Sequence, residues 1–287
     1  MSGRPPASWH VEEAGALVTV QDRGRPGLAH LGVPRGGWLD AAAATLANRL
    51  VGNREDCAVL EVSGGGLTLR HEGAGRWVSV TGAGCSVEVS GAARGHGAAT
   101  WLPSGAGLRL GPATRGVRSY LAVGGGLAVE PVLGSRSTDT LAWVGPPQVL
   151  RGSVLPVGPV TGAPPGVDVA PLRRHGPLRV LPGPRLDWFG AEVLHDLCAQ
   201  EYVVSPSSNR VGLRLQGRRL ERSRAGELPS EPMVLGAVQV PPDGQPVVFL
   251  ADHPTTGGYP VIAVVLGEDL TSCAQLGPGQ PVRFALG

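Results

Sequence analysis

Short apolar runs rich in valine, leucine and threonine recur between glycine-rich turns along most of this chain, and that spacing constrains the fold more than any other feature. In the first half the runs lie at residues 16–20, 58–62, 76–81, 86–89, 107–110 and 119–123; in the second, at 202–205, 212–215, 237–240, 247–251 and 261–266. Branched and aliphatic side chains fit a pleated, half-buried surface, and regular turn signals between them predict a β-sandwich or a barrel. The 45 glycines and 27 prolines are spread between the runs and so read as turns. Two segments read as helix. Asp40 is the expected N-cap of the first, with Leu39, Ala43, Leu46 and Leu50 on one face and Gly52 as the stop. The second is expected over residues 187–200, with Val193, Leu194 and Leu197 on its apolar side.

At 287 residues the chain reaches the size, about 250–300 residues, at which a single core stops growing. Residues 155–177 are dense in proline and glycine and show no sustained periodicity, which marks them as the expected boundary. The expected organisation is two mainly-β domains, residues 1–165 and 166–287, each with one or two short helices.

The chemistry open to the chain is bounded by what it lacks. A net charge of +2 with no long basic run gives no support to a nucleic-acid or membrane surface. The opening MSGRPPASWHVEEAG has no apolar core of a signal peptide, and no stretch approaches the roughly 20 residues of a membrane span, so a cytoplasmic protein is expected. Cys57, Cys85, Cys198 and Cys273 stand far apart, which suits buried thiols and indicates neither a zinc site nor a disulfide framework. All 25 basic Lys+Arg positions are arginine. The chain therefore has no lysine to form a Schiff base, carry biotin or complete a Walker-type phosphate loop. Any anion must be held by arginine forks, backbone N–H groups or a metal.

No G-x-S-x-G elbow, H-E-x-x-H or nucleotide-binding glycine loop is present, and the triple glycines at 64–66 and 124–126 read as turns or bulges. What remains is a set of polar loops at strand ends. In the first, Asp22 and Arg25 flank Gly24 and form either a structural turn with a surface ion pair or a site. A second places Ser135, Ser137, Thr138 and Asp139 around Arg136, a combination that suits a carboxylate and equally a capped turn. A third presents Ser207, Asn209 and Arg210. The richest segment, 227–260, carries Glu231, Gln239 and Asp252, then Thr255, Thr256 and Tyr259 around Gly257 and Gly258. His253 in it is either an acid/base or a structural histidine.

These loops are also the residues that look familiar. VTVQDRGRPGLAHLGVP, LANRLVGN followed by AVLEV, VLGSRSTD, SPSSNRVGLRL, GAVQVPPDGQP and ADHPTTGGYP, in that order from about Val18 onward, resemble the biotin-dependent carboxyltransferase family. That family takes in allophanate-hydrolase subunit 2 proteins, the carboxyltransferase region of urea carboxylase and the C-type subunit of prokaryotic 5-oxoprolinase. The resemblance implies two cyclophilin-like β-barrel domains joined to a homologous first subunit, with the reactive site near the interface. The sequence departs from the pattern at His253-Pro254, where an arginine and another polar residue are more often expected.

The resemblance implies three possible roles. The leading one is the C-type subunit of an ATP-dependent 5-oxoprolinase that opens 5-oxoproline to glutamate. It would act beside two partners, a B-type first subunit plus a lactamase-like A-type one, with magnesium and ATP used by the complex. Arginines and backbone donors are then expected to stabilise developing negative charge. Asp22, Glu231 and Asp252 are the candidate catalytic groups. Arg25, Arg136, Ser207, Asn209, Arg210, Gln239, Thr255, Thr256, Gly257, Gly258 and Tyr259 are the candidate substrate-binding groups, and no metal ligands are expected on this chain. The second role is carboxyl transfer from carboxybiotin, carried on another chain, to urea or a related amide. The third is a regulatory partner, without turnover, of a kinase-inhibitor-like first subunit.

Overall fold

The structure, a computed structural model, describes residues 6–165 and 176–287. They form two compact units: the first holds 6–25, 36–138 and 143–165, the second 26–35, 139–142 and 176–287. The expected boundary between 165 and 166 touches residues 166–175, which lie outside the described residues.

In the first unit the apolar runs become two antiparallel sheets. One orders its strands Val154–Pro156, Ser8–Glu13, Gly65–Glu72, Gly107–Pro112, Val87–Val89 and Ala92–Arg94; the other, Leu17–Gln21, Val59–Ser63, Arg115–Val123, Arg76–Gly84 and Ala99–Leu102. Side chains from both sheets, among them Trp9, Val18, Leu60, Leu69, Val80, Leu108 and Leu121, share one core. The second face of the five-stranded sheet is covered by the helix Ala41–Leu50, where Ala43, Ala44 and Ala47 lie against Val59, Tyr120 and Ala122. Small alanines let that helix come close enough for Ser79 Oγ and Thr81 Oγ1 to donate to its Ala47 and Ala43 carbonyls, both at 2.7 Å. Asp40 caps the helix as expected, accepting from the Ala43 amide at 3.0 Å. Covering on both faces explains why Val59–Ser63 reads as a nearly continuous buried run instead of alternating.

The second unit contains a closed seven-stranded barrel in the order Leu178–Pro182, Val261–Val265, Ala237–Gln239, Val247–Phe249, Gly212–Gln216, Glu201–Val204 and Pro281–Leu286. A parallel pairing of Leu178–Pro182 with Pro281–Leu286 closes it, leaving no sheet edge. Inside, Tyr202 meets Phe284 edge to face, with ring centroids 5.8 Å apart. The mainly-β architecture is as expected, and it is the second unit that closes into a barrel, while the first is built of two sheets.

The expected helix over 187–200 is broken. Leu186–Trp188 is a single 3-10 turn and the α-helix runs only over Val193–Cys198. Between them Phe189 is extended, because its backbone bridges to Arg222, and Gly190 follows. Apolar periodicity could not register a backbone partner so far along the chain. Among the described residues, no helix is long and apolar enough to cross a membrane.

Candidate functional site

The first unit holds a buried carboxylate hub. The strand Leu17–Gln21 delivers Asp22 to the turn 22–24, where Oδ1 accepts from the Gly24 amide at 2.8 Å. Oδ1 also accepts from Ser135 Oγ at 2.5 Å and Ser137 Oγ at 2.7 Å, and Oδ2 from the Arg136 amide at 2.6 Å. These bonds join two loops that stand far apart in the sequence. Asp22 and Arg25 are both buried, so the alternative of a surface ion pair is replaced by an interior clasp. Arg25 donates to the Ser137 and Val132 carbonyls, and Arg136 Nε donates to the Val129 carbonyl at 2.6 Å. Two residues beside this clasp, Leu133 and Trp143, hold left-handed φ of 51° and 55°, a conformation that bulky side chains seldom adopt.

The second unit contains a different arrangement around Asp252. Its Oδ2 accepts from Arg210 Nε at 2.9 Å, from the Thr140 amide at 2.9 Å and from Thr140 Oγ1 at 2.7 Å, while Oδ1 accepts from Arg210 Nη2 at 3.0 Å. Asn209 turns inward on its own loop, its side-chain oxygen accepting from the Val211 and Gly212 amides. Ser207 is exposed beside it.

The polar groups that reach solvent gather on another part of this unit. Glu231–Pro232 pairs with Thr256–Gly257, setting Glu231 opposite Gly257. The Glu231 carboxylate takes both Nε and Nη2 of Arg185, with side chains 21% and 37% exposed, so neither group is sealed in. Gln239 Nε2 donates to the Tyr259 carbonyl at 3.0 Å. A Cβ on Gly257 would stand 2.9 Å from that nitrogen, so a larger residue there would displace the Gln239 side chain. The Thr255 carbonyl accepts from the Met233 amide at 3.0 Å, Thr256 and Tyr259 are exposed, and Gly258 completes the turn. Arg185, Trp188, Arg222 and Thr140 were not marked by the sequence; each is defined by a partner distant along the chain.

Three of the four polar loops thus supply buried anchoring, and the 231–259 surface with Arg185 supplies accessible carboxylate, guanidinium, hydroxyl and aromatic groups, with the Gln239 amide buried beneath them. His253 lies near it, buried, with Nδ1 within 2.8 Å of the Pro254 carbonyl. Since a carbonyl only accepts, Nδ1 carries the proton. Burial pushes this imidazole below its ordinary pKa and Arg35 adds to the shift, while the Pro254 bond and Asp252 oppose it. Among the described residues, no three His, Cys, Asp or Glu side chains are grouped so as to hold a metal ion.

A family model, the carboxyltransferase domain, subdomain A and B, matches residues 31–286. The chain is 39% identical to the C-type subunit of 5-oxoprolinase from Escherichia coli (strain K12), over 94% of this chain and 88% of that protein. It is 33% identical to the protein of the same name from Haemophilus influenzae, over 93% and 87%. Against the urea amidolyase of Saccharomyces cerevisiae it is 30% identical over 97% of this chain and 16% of that protein. Among solved structures, TTHA0988 superposes with a TM-score of 0.87 at 38% identity, over 99% of this chain and 56% of that one. The Kluyveromyces lactis urea amidolyase superposes with a TM-score of 0.89 at 28% identity, over 100% of this chain and 19% of that one. The chain therefore spans a little over half of TTHA0988 and under a fifth of the amidolyase.

Proposed function

The chain belongs to the carboxyltransferase-domain family, subdomains A and B, and from that premise we propose that it is the C-type subunit of an ATP-dependent 5-oxoprolinase. In that complex it works in the cytoplasm with a homologous B-type partner and a lactamase-like A-type one, opening 5-oxoproline to glutamate. The observation that carries the reading is the match with the C-type 5-oxoprolinase subunit over most of both chains, 94% of this chain and 88% of that protein, where the urea amidolyase is matched over only 16% of its length.

Ring opening adds water across the amide C–N bond: oxygen bonds to the carbonyl carbon, and a proton reaches the departing nitrogen. We assign this chemistry to the 231–259 surface. Glu231, accessible and oriented by Arg185, accepts the proton of the attacking water and returns one to nitrogen. Thr256, Tyr259 and the backbone of the 255–259 turn stand as donors for the carbonyl oxygen. Asp22 and Asp252 are positioning residues in this scheme, because their oxygens are already committed to four donors each. The steps proposed for this chain are those of binding and proton placement.

Superposition on the K. lactis urea amidolyase over 100% of this chain supports a second reading, carboxyl transfer to an amide. Biotin would then be carried by another chain, since this one has no lysine to hold it. Co-expression of the three subunits, followed by assay of glutamate from 5-oxoproline with and without ATP, separates the readings. ATP-dependent glutamate is expected. A stable complex that makes none removes the ring-opening reading; carboxylation of an amide by added carboxybiotin carrier would then favour the second, and absence of any turnover a purely regulatory role.

A further inference from the structure

Arg222 lies between the strands Gly212–Gln216 and Ala237–Gln239, its backbone bridged to Phe189. Its guanidinium carbon stands 6.0 Å from the centroid of the Trp188 ring and 5.8 Å from that of Tyr259. Nη2 donates to the Val240 carbonyl at 2.7 Å, and Nε is buried with no acceptor. Trp188 is buried, whereas Tyr259 is 44% exposed, so one of the two rings beside the guanidinium is shielded and the other reaches solvent.

The charge of Arg222 distinguishes it from its neighbours. Among the described arginines of the second unit that are not exposed, Arg179 meets Asp269 and Glu268, Arg185 meets Glu231 and Arg210 meets Asp252, while Arg222 meets no carboxylate. A cation taken partly out of water costs free energy unless an anion or a full set of acceptors compensates it. Two aromatic rings attract the cation without using its N–H donors. The result is a guanidinium fixed by Val240 and two aromatic rings and short of one negative charge.

We infer that Arg222, held between Trp188 and Tyr259, anchors the carboxylate of the small amide substrate. A guanidinium fork matches a carboxylate in shape and charge, and the exposed Tyr259 ring offers a flat face for a planar lactam beside it. Tyr259 belongs to the turn whose Gly257 is paired with Glu231. Anchoring there holds the ring near the base of the ring-opening scheme. This assignment rests on that scheme and names the residue that selects its substrate. Of the two arginines expected from the sequence to bind the carboxylate, Arg210 has its guanidinium committed to Asp252, while Arg136, in the other unit, makes one backbone bond to Val129, as Arg222 does to Val240.

The test uses the reconstituted three-subunit complex with two lactams, 5-oxoproline and 2-pyrrolidinone, which lacks the carboxylate. The R222Q complex should show KM for 5-oxoproline raised roughly 10- to 100-fold with kcat little changed, the scale of a lost hydrogen bond to a charged group. The preference for 5-oxoproline over 2-pyrrolidinone, read as turnover or as competitive inhibition, should collapse with it. R222K, which keeps the charge and loses the fork, should recover part of the effect. Complex formation and the Tm of each variant chain establish that it folds. An active wild type with an unchanged R222Q KM, or with both lactams weakened alike in R222Q and R222K, overturns the assignment alone. A wild-type complex that makes no glutamate overturns the ring-opening scheme and this assignment together.

Discussion

Arg210 and Asp252 meet in a two-pronged ion pair with both side chains wholly excluded from solvent. Such a pair is costly to place in an interior, and the cost is offset only when the remaining lone pairs are satisfied. Here the amide and hydroxyl of Thr140 complete the set. The pair therefore serves to fix three segments of the second unit, 139–142, 209–212 and the start of the 252–259 turn, in one arrangement.

Removing one member should be far worse than removing both. Asp252→Asn leaves the Arg210 charge buried and uncompensated, and about 3–5 kcal/mol of stability should be lost. Urea unfolding followed by circular dichroism should show a lower midpoint at unchanged slope. The double variant Arg210→Met/Asp252→Leu should be more stable than Asp252→Asn. A single variant within about 1 kcal/mol of the wild type, on the scale of an exposed pair, would mean that the two charges are not held as described.

In the first unit the corresponding experiment is Asp22→Asn. The amide has one oxygen where the carboxylate has two, and its NH2 would face the Arg136 amide or the Ser135 and Ser137 hydroxyls. At roughly 1.5–3 kcal/mol for each hydrogen bond to a charged group, losing one or two should cost about 2–5 kcal/mol. Hydrogen exchange should locate the loss, with faster exchange at the Gly24 and Arg136 amides than across Arg115–Val123. Equal acceleration in both regions would argue against a local clasp.

Strand positions and the capped helix were legible because each is specified within a few residues: Asp40 is followed directly by the helix it caps, and each Val/Leu run lies between its own turn signals. What was not legible depends on partners distant along the chain. Asp22 and Ser135 are 113 positions apart, and Arg210 and Asp252 are 42 apart. Composition marks such residues as polar and loop-borne, but only the fold decides whether they face one another or a ligand. The same limit applies to Arg222, whose aromatic neighbours come from a broken helix and a distant turn. The second helix failed for a related reason, since the bridge from Phe189 to Arg222 draws the backbone out of helical geometry.

His253 should make stability depend on pH in a predictable direction. Burial lowers its folded pKa, so around the ordinary value of about 6.5 the unfolded chain binds a proton that the folded chain refuses. Above that value both states are neutral and pH has no effect through this residue. As pH falls through about 6.5 the folded state loses stability, at no more than about 1.4 kcal/mol per unit, until the folded imidazole itself titrates. His253→Asn keeps an N–H for the Pro254 carbonyl and removes the titration. Urea midpoints from about pH 8 to pH 5 should show the wild type falling faster than the variant below about pH 6.5; parallel curves would exclude the buried imidazole as a source.

Glu231 provides the direct test of chemistry. Its side chain reaches solvent and its partner Arg185 is more exposed still, so their ion pair should add little to stability, about 0–1 kcal/mol. Glu231→Gln keeps the size and an acceptor for Arg185, so the Tm of the chain and its assembly with partners should stay nearly unchanged. As the proton acceptor for the attacking water, however, the carboxylate has no substitute in the amide. Positioned acid–base groups contribute about 100- to 10,000-fold, so kcat for glutamate formation should fall within that range, with KM for 5-oxoproline held. Glu231→Asp should recover a fraction of the rate. If Glu231→Gln instead turned over at the wild-type rate, the acid–base group would have to lie on a partner chain, and Glu231 would be left with holding the Thr256–Gly257 ladder and Arg185 in place.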